Sequence, residues 1–149
     1  MKIVPLYAVP QHEQQVTDWL WQAFGTPDSR NFFASIVTTS QREGEIPLTF
    51  VAVEGEKLVG TVGLWRCDLI SRQDLYPWLA ALYIDENQRG YGLGAELQQH
   101  VIEHARELGY PYLYLYSACK GYYERFGWQF IGDGLDYPNT PVHLYQFTL

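Results

Sequence analysis

The densest chemical signal in the chain is Arg89-Gly90-Tyr91-Gly92-Leu93-Gly94, three glycines in five residues with an arginine beside them. The loop falls between a strongly apolar run and a segment of helical patterning. Backbone N–H groups without intrahelical acceptors and the positive end of a helix dipole therefore meet at one point, and an anion fits there. Glycine matters twice: a side chain would hold a phosphate away from the amides, and tight turns of this kind often need positive φ. The functional reading is a phosphorylated cofactor. Gly94 is followed by Ala95-Glu96, so the loop has neither the lysine nor the hydroxyl of a P-loop, and nucleoside triphosphate hydrolysis is disfavoured. Gly90 to Ala95 also satisfies the GxGxxG/A dinucleotide pattern, which wants an acidic residue about twenty positions on. Tyr116-Ser117-Ala118-Cys119-Lys120 supplies no carboxylate there, which leaves the dinucleotide reading as the weaker alternative.

Other chemistry-bearing residues are less organised. His100 and His104 stand four apart on the helix that follows the loop, but Glu103 is not where an HExxH site would put it and no third ligand is evident. They read as a solvated pair, with no metal. Cys119 has no histidine in a recognisable relation to it, which disfavours a nucleophilic thiol. Cys67 and Cys119 share no CxxC spacing and read as reduced thiols of a cytoplasmic protein.

The elements that position the loop follow from periodicity. Val16, Leu20, Ala23 and Phe24 predict a helix over 11–24, stopped by Gly25-Thr26-Pro27. Asp28 or Ser29 then caps a second helix running to about Ser40. Leu48 to Val53 and Lys57 to Trp65 flank the turn Glu54-Gly55-Glu56 and predict an antiparallel hairpin. The polar stretch Cys67 to Tyr76 reads as a loop, and Pro77 to Ile84 as a strand covered on both faces. Leu93, Leu97, Val101, Ala105 and Leu108 mark the buried stripe of the next helix, and Tyr112 to Tyr116 is again a strand. Strand, helix and strand in this order make a βαβ unit with parallel strands and a right-handed crossover. A short helical turn at Tyr122 to Phe126, and strands at Trp128–Ile131 and Val142–Phe147 around a Pro138/Pro141 loop, close a mixed α/β sheet.

Length and composition bound what such a domain does. The 149 residues suffice for one domain and not two, and 47% hydrophobic residues supply enough apolar area for it to fold alone. A net charge of −7 is the wrong sign for gripping a nucleic-acid backbone, while a cationic small molecule or basic peptide suits the field better. No window approaches the ~18 apolar residues of a membrane span, and Met1 to Pro10 does not read as a signal peptide.

These residues resemble the GNAT superfamily of acetyl-CoA-dependent N-acetyltransferases. Its pyrophosphate signature, Arg/Gln-x-x-Gly-x-Gly/Ala, is matched by Arg89 to Gly94. A second family motif, an aromatic-Tyr-x-x-x-Gly-aromatic segment, is matched by Tyr122-Tyr123-Glu124-Arg125-Phe126-Gly127-Trp128. The resemblance covers nearly the whole chain and implies the GNAT-like fold, in which two central parallel strands splay apart. The pantetheine arm of acetyl-CoA then lies along Leu82, Tyr83 and Ile84. The pyrophosphate is held by Arg89, Gly90, Tyr91, Gly92, Leu93, Gly94 and Ala95.

The resemblance also places Tyr123 in the position of the general acid that protonates the departing thiolate. No motif fixes the general base. Asp68 and Asp74 both precede the cofactor strand, Glu54 lies in a hairpin turn, and Asp68 is the first choice. The expected acceptor is an amine of a small molecule or peptide, taken directly in a ternary complex. Helix aromatics such as Trp19, Trp21, Phe24, Phe32 and Phe33, with Trp65 and Trp78 and the acids Asp28, Asp68 or Asp74, offer an apolar, negatively charged cup for it. The loops Asp68–Tyr76 and Asp133–Pro141 would help to choose it. The competing expectation is a non-catalytic acyl-CoA-binding sensor on the same scaffold. An exposed strand or aromatic patch would support a homodimer.

Overall fold

A computed structural model describes every residue from Met1 to Leu149. Its framework is a seven-stranded sheet in the order β1-β2-β3-β4-β5-β7-β6. The strands are β1 (Lys2–Pro5), β2 (Leu48–Glu54), β3 (Lys57–Trp65), β4 (Trp78–Ile84), β5 (Tyr112–Ser117), β6 (Gln129–Asp136) and β7 (Thr140–Thr148). The β4–β5 pair is parallel and every other pair antiparallel. Helices α1 (Glu13–Phe24) and α2 (Arg30–Thr39) cover one face, and α3 (Leu93–Glu107) covers the other.

Burial explains the arrangement. Strands β2 and β3 sit mid-sheet under helices on both faces, so nearly all of their residues are buried and their sequences are apolar throughout rather than alternating. Against α3, the side chains of Leu97, Val101, Ile102 and Ala105 pack on Phe50, Val62, Leu64 and Leu115. On the opposite face Val16, Trp19, Leu20 and Val37 close over Val51, Val53 and Ala80. Each fully buried aliphatic contributes about 1.5–3 kcal/mol. The half-exposed Arg30–Asp18 ion pair that ties α2 to α1 is worth about 0–1 kcal/mol, so packing decides where the helices lie.

Several boundaries differ from the sequence reading. Strand β1 was not expected: four residues are too short for a pattern, and only pairing with β2, from Lys2–Val53 to Pro5–Phe50, makes them a strand. Residues 10–12 form a 3-10 turn before α1. Neither Asp28 nor Ser29 caps α2; the Ser29 hydroxyl is taken by Thr26, accepting its N–H at 2.8 Å, and Asp28 Oδ1 accepts the Thr26 hydroxyl. The stretch 133–141 is not a loop, because β6 runs to Asp136, β7 starts at Thr140, and Asp136 pairs with Thr140 across a tight turn. His100 and His104 are half-buried rather than a freely solvated pair; both stack edge-on against Phe50, at centroid distances of 4.7 and 5.1 Å. Trp65 and Trp78 belong to the core and are not free to line an acceptor cup.

A third apolar cluster, Leu69, Trp78, Tyr114, Val142 and Leu144, lies on the α1/α2 face beyond the reach of those helices. It is roofed by the loop between β3 and β4. Leu69 is the anchor, seated where Gly134 leaves room: a Cβ there would come within 3.2 Å of both Leu69 and Leu144. The Ser71 hydroxyl pins the same loop by donating to the Leu135 carbonyl oxygen. Replacing Gly134 with Val should lift this loop and cost about 1–3 kcal/mol through overpacking. A thermal midpoint lower by several degrees is expected, and an unchanged melt would mean that the loop is not seated there.

Candidate active site

The site begins with a fault in the sheet. On β3, Thr61 and Gly63 are two apart, but their partners on β4, Tyr83 and Ala80, are three apart, so β4 carries one extra residue. Ala81 absorbs it at φ +51°, a left-handed conformation that costs a non-glycine residue about 1–2 kcal/mol. Beyond the bulge β4 stays with β3 but leaves β5: Trp78–Tyr114 is the only register pair the parallel strands make. The backbone of Leu82, Tyr83 and Ile84 therefore faces a gap where the ladder would have continued.

A cleft of about 700 Å³ opens along that gap, within the size range of small-ligand sites. One wall is Leu82, Tyr83, Ile84, Gln88, Arg89, Gly90, Gly92, Leu93, Gly94 and Ala95, and the other is Tyr122, Tyr123, Arg125 and Phe126. Gly90 and Gly92 hold φ at +88° and +81° in open space, so backbone conformation, not crowding, requires glycine there. Gly94 is different, since its Cβ would sit 3.3 Å from the Tyr122 hydroxyl. Gly92 is the residue before the first turn of α3 and brings no capping side chain, so the first-turn amides of α3 have no protein acceptor and stand free for an anion. Arg89 donates from Nε to the Ile84 carbonyl oxygen at 3.0 Å and lies over the Tyr83 ring.

Most of the residues singled out as cofactor-binding line this one cleft. Tyr91 does not; its exposed side chain borders a smaller neighbouring pocket with Met1, Glu54 and Glu96. The sequence reading missed Gln88, Tyr122, Arg125 and Phe126 as wall residues. The last three sit inside the aromatic motif Tyr122 to Trp128, whose pattern singles out only Tyr123.

Tyr123 opens the short 3-10 turn Tyr123–Phe126 after β5, which ends at Gly127 with φ +93°. Tyr122, Trp128 and Tyr145 surround its ring at 4.9, 6.3 and 5.9 Å between centroids. Burial, with a smaller effect of Tyr122, pushes its phenol up to about 12. The hydroxyl stays protonated at any working pH and acts as a donor.

Asp68 does not line the cleft; it lies near Tyr116, at the end of β5, and near Asp136. It belongs to the β3–β4 loop beside the Leu69 cluster, on the sheet face opposite α3, whereas Tyr123 packs on the α3 side. Burial first, and the charge of Asp136 second, push its carboxyl up from 3.8 to about 8. Tyr116, at the β5 edge of the gap, is also raised, by burial and then by Asp68 and Asp136. The other acids are committed elsewhere. Asp74 is exposed and held by Arg72 through two 2.9 Å bonds, which lowers its carboxyl, and Glu54 pairs with the N-terminus. Of the acceptor-cup aromatics, Phe24 and Phe32 are exposed, while Trp19 is buried against Tyr83 at 5.0 Å. Cys119 is exposed and outside the cleft. No group of three His, Cys, Asp or Glu residues is gathered as a metal site would need.

The family model "Acetyltransferase (GNAT) family" matches residues 13–128. The chain belongs to the GNAT acetyltransferase family. It is an acetyl-CoA-dependent N-acetyltransferase. The fold agrees with solved structures of low identity. One is the aminoglycoside 6'-N-acetyltransferase from Enterococcus faecium, at 16% identity and TM-score 0.74 over 99% of this chain and 97% of that one. A GNAT family acetyltransferase from Elizabethkingia anophelis with acetyl-CoA bound aligns at 16% identity and TM-score 0.70, over 99% and 97%. An acetyltransferase from Streptococcus agalactiae aligns at 20% and 0.74, over 99% and 98%. A search of curated protein sequences gives no match.

The raised Asp68 carboxyl has a consequence that needs no substrate. Folding raises its pKa, so the folded chain keeps a proton that the unfolded chain has lost. Its contribution to stability is whole below about pH 4, fades as pH rises, and is gone above about pH 8. The thermal midpoint of Asp68→Asn should therefore gain on the parent as pH rises from 5 to 8.5, by about 3 °C or more. A pH-independent difference would show that the carboxyl is solvated.

Proposed function

We propose that this acetyltransferase moves the acetyl group directly onto an amine of a small molecule or peptide within a ternary complex. Tyr123 is the hydrogen donor to the departing sulfur, and Asp68 is the base. The observation that carries the reading is the gap between β4 and β5, lined by an amide-rich turn and a neutral phenol; the raised carboxyl of Asp68, near Tyr116 at the end of β5, supports its part in the proposal.

The residues present suit coenzyme A. The free strand edge at Leu82–Ile84 matches an extended arm that pairs like a strand, and the amides at Gly90–Gly94 match a diphosphate. When bound, acetyl-CoA supplies the activated thioester. An ionised Asp68 first takes a proton from the incoming ammonium, which frees the lone pair that forms the C–N bond; the second nitrogen proton leaves to solvent, and Tyr123 offers its hydroxyl hydrogen to sulfur as the C–S bond breaks. With a thiol near 8.5 and this phenol pushed up to about 12, the proton rests on oxygen at equilibrium. Tyr123 therefore stabilises developing charge chiefly through a hydrogen bond, and solvent delivers the final proton.

The acceptor class follows from charge. At −7 overall, with Asp68 and Asp136 on the acceptor side and no cation paired to either, a cationic amine is favoured. Aminoglycosides, the substrates named for the Enterococcus neighbour, belong in the panel beside polyamines, amino acids and peptides. A cytoplasmic setting agrees with two exposed free thiols.

Thiol release from acetyl-CoA over that amine panel tests the activity. Turnover with at least one amine is expected, and coenzyme binding without any turnover would support the sensor instead. With the responding amine, Tyr123→Phe should lower kcat at least tenfold while leaving acetyl-CoA affinity unchanged. In the same assay kcat/KM should fall about tenfold per unit below pH 8, and Asp68→Asn should remove that limb. An Asp68→Asn profile superimposable on the parent's would exclude Asp68 as the base.

A further inference from the structure

The single polar side chain that α3 buries completely is Gln98, set among the apolar Leu97, Val101, Ile102 and Ala105. Its Oε1 accepts the indole N–H of Trp128 at 3.1 Å, which orients the amide and leaves Nε2 for another partner. That nitrogen is buried and has none. A half-satisfied amide in a core costs the desolvation of its unmade bonds, and an apolar pair at positions 98 and 128 would avoid that cost. Stability therefore gives no reason for a glutamine here.

What the bond supplies is direction. Gln98 stands one helical turn after Gly94, and Gly94 lies against the aromatic turn, where a Cβ would come 3.3 Å from the Tyr122 hydroxyl. The start of α3, which continues directly from the glycine turn, is thus docked on the segment Tyr122 to Trp128 at both positions. Trp128 in turn meets Tyr123 twice. Its backbone N–H donates to the Tyr123 carbonyl oxygen at 3.3 Å, and its ring stands at 78° to the Tyr123 ring, 6.3 Å between centroids. The Tyr123 hydroxyl has no hydrogen-bond partner within the protein, so the packing of its ring alone aims it. Packing by itself lets a flat indole slide or tilt, whereas a directional N–H bond to an amide on a helix resists both.

We propose that Gln98 is a positioning residue for acetyl transfer: through Trp128 it fixes the Tyr123 hydroxyl relative to the glycine turn. The assignment rests on the role of Tyr123 proposed above and extends it to a residue outside the cleft.

Steady-state kinetics with the responding amine, beside calorimetry with CoA, tests it. Gln98→Met keeps length and apolar bulk but removes the acceptor, and Trp128→Phe keeps an aromatic ring but removes the donor. Each should lower kcat at least fivefold while the KM for acetyl-CoA and the Kd for CoA stay within twofold. The deciding arm is the Tyr123→Phe background. There either substitution should change kcat less than twofold, because the hydroxyl that Gln98 positions is gone. A side chain that only fills the core would act equally in both backgrounds. Where a single variant melts far below the parent, Gln98→Met and Trp128→Phe combined leave no unpaired group at this contact and carry the test. An unchanged kcat, or losses that multiply with that of Tyr123→Phe, overturn the assignment and leave Tyr123 as the donor. Tyr123→Phe at the parent's rate, or no turnover with any amine, overturns both.

Discussion

The structure turns on a single interrupted ladder. Parallel strands normally gain by pairing along their length, and β4 and β5 make one register pair before parting. What separates them is one extra residue in β4, held at a positive φ by Ala81. The strain is local and small beside the apolar area that β3 and α3 bury against the same strand. The sheet tolerates the fault because β4 remains paired with β3 while β5 turns to β7. The result is a half-paired strand edge inside an otherwise continuous sheet, open without any loop having to move.

The glycine turn and the aromatic turn line that gap, and the β3–β4 loop packs near the end of β5, each held by different physics. The glycine turn depends on backbone freedom at Gly90 and Gly92 and on close approach at Gly94. Tyr123 is held by packing among Tyr122, Trp128 and Tyr145, which also keeps its hydroxyl neutral. Asp68 is followed by Leu69, which is wedged over Gly134, and its charge is disfavoured by burial first and by Asp136 second. The two titrating groups are thereby pushed in ways that suit opposite tasks, a phenol that keeps its proton and a carboxyl that exchanges one near neutral pH.

Much of this was legible in the chain. Helices, hairpin and βαβ unit follow from periodicity, and the two motifs in order carry the family. The differences cluster where local pattern carries no information. Four residues of β1 become a strand only through β2, and Ser29 finds Thr26 rather than the helix it precedes. His100 and His104 look like a polar pair until Phe50, some fifty residues earlier in the sequence, supplies a surface to stack on.

By itself the sequence determined the glycine-rich turn, the order of the elements and the aromatic motif, because each depends on neighbours within a few residues along the chain. Only the tertiary structure decided that β4 carries a bulge, that Asp68 comes near Asp136 and Tyr116, and that Arg89 and Arg125 line one cleft free of acids. Those relations join residues tens of positions apart. They are set by which faces the sheet brings together, and no spacing in the sequence encodes a distance through space.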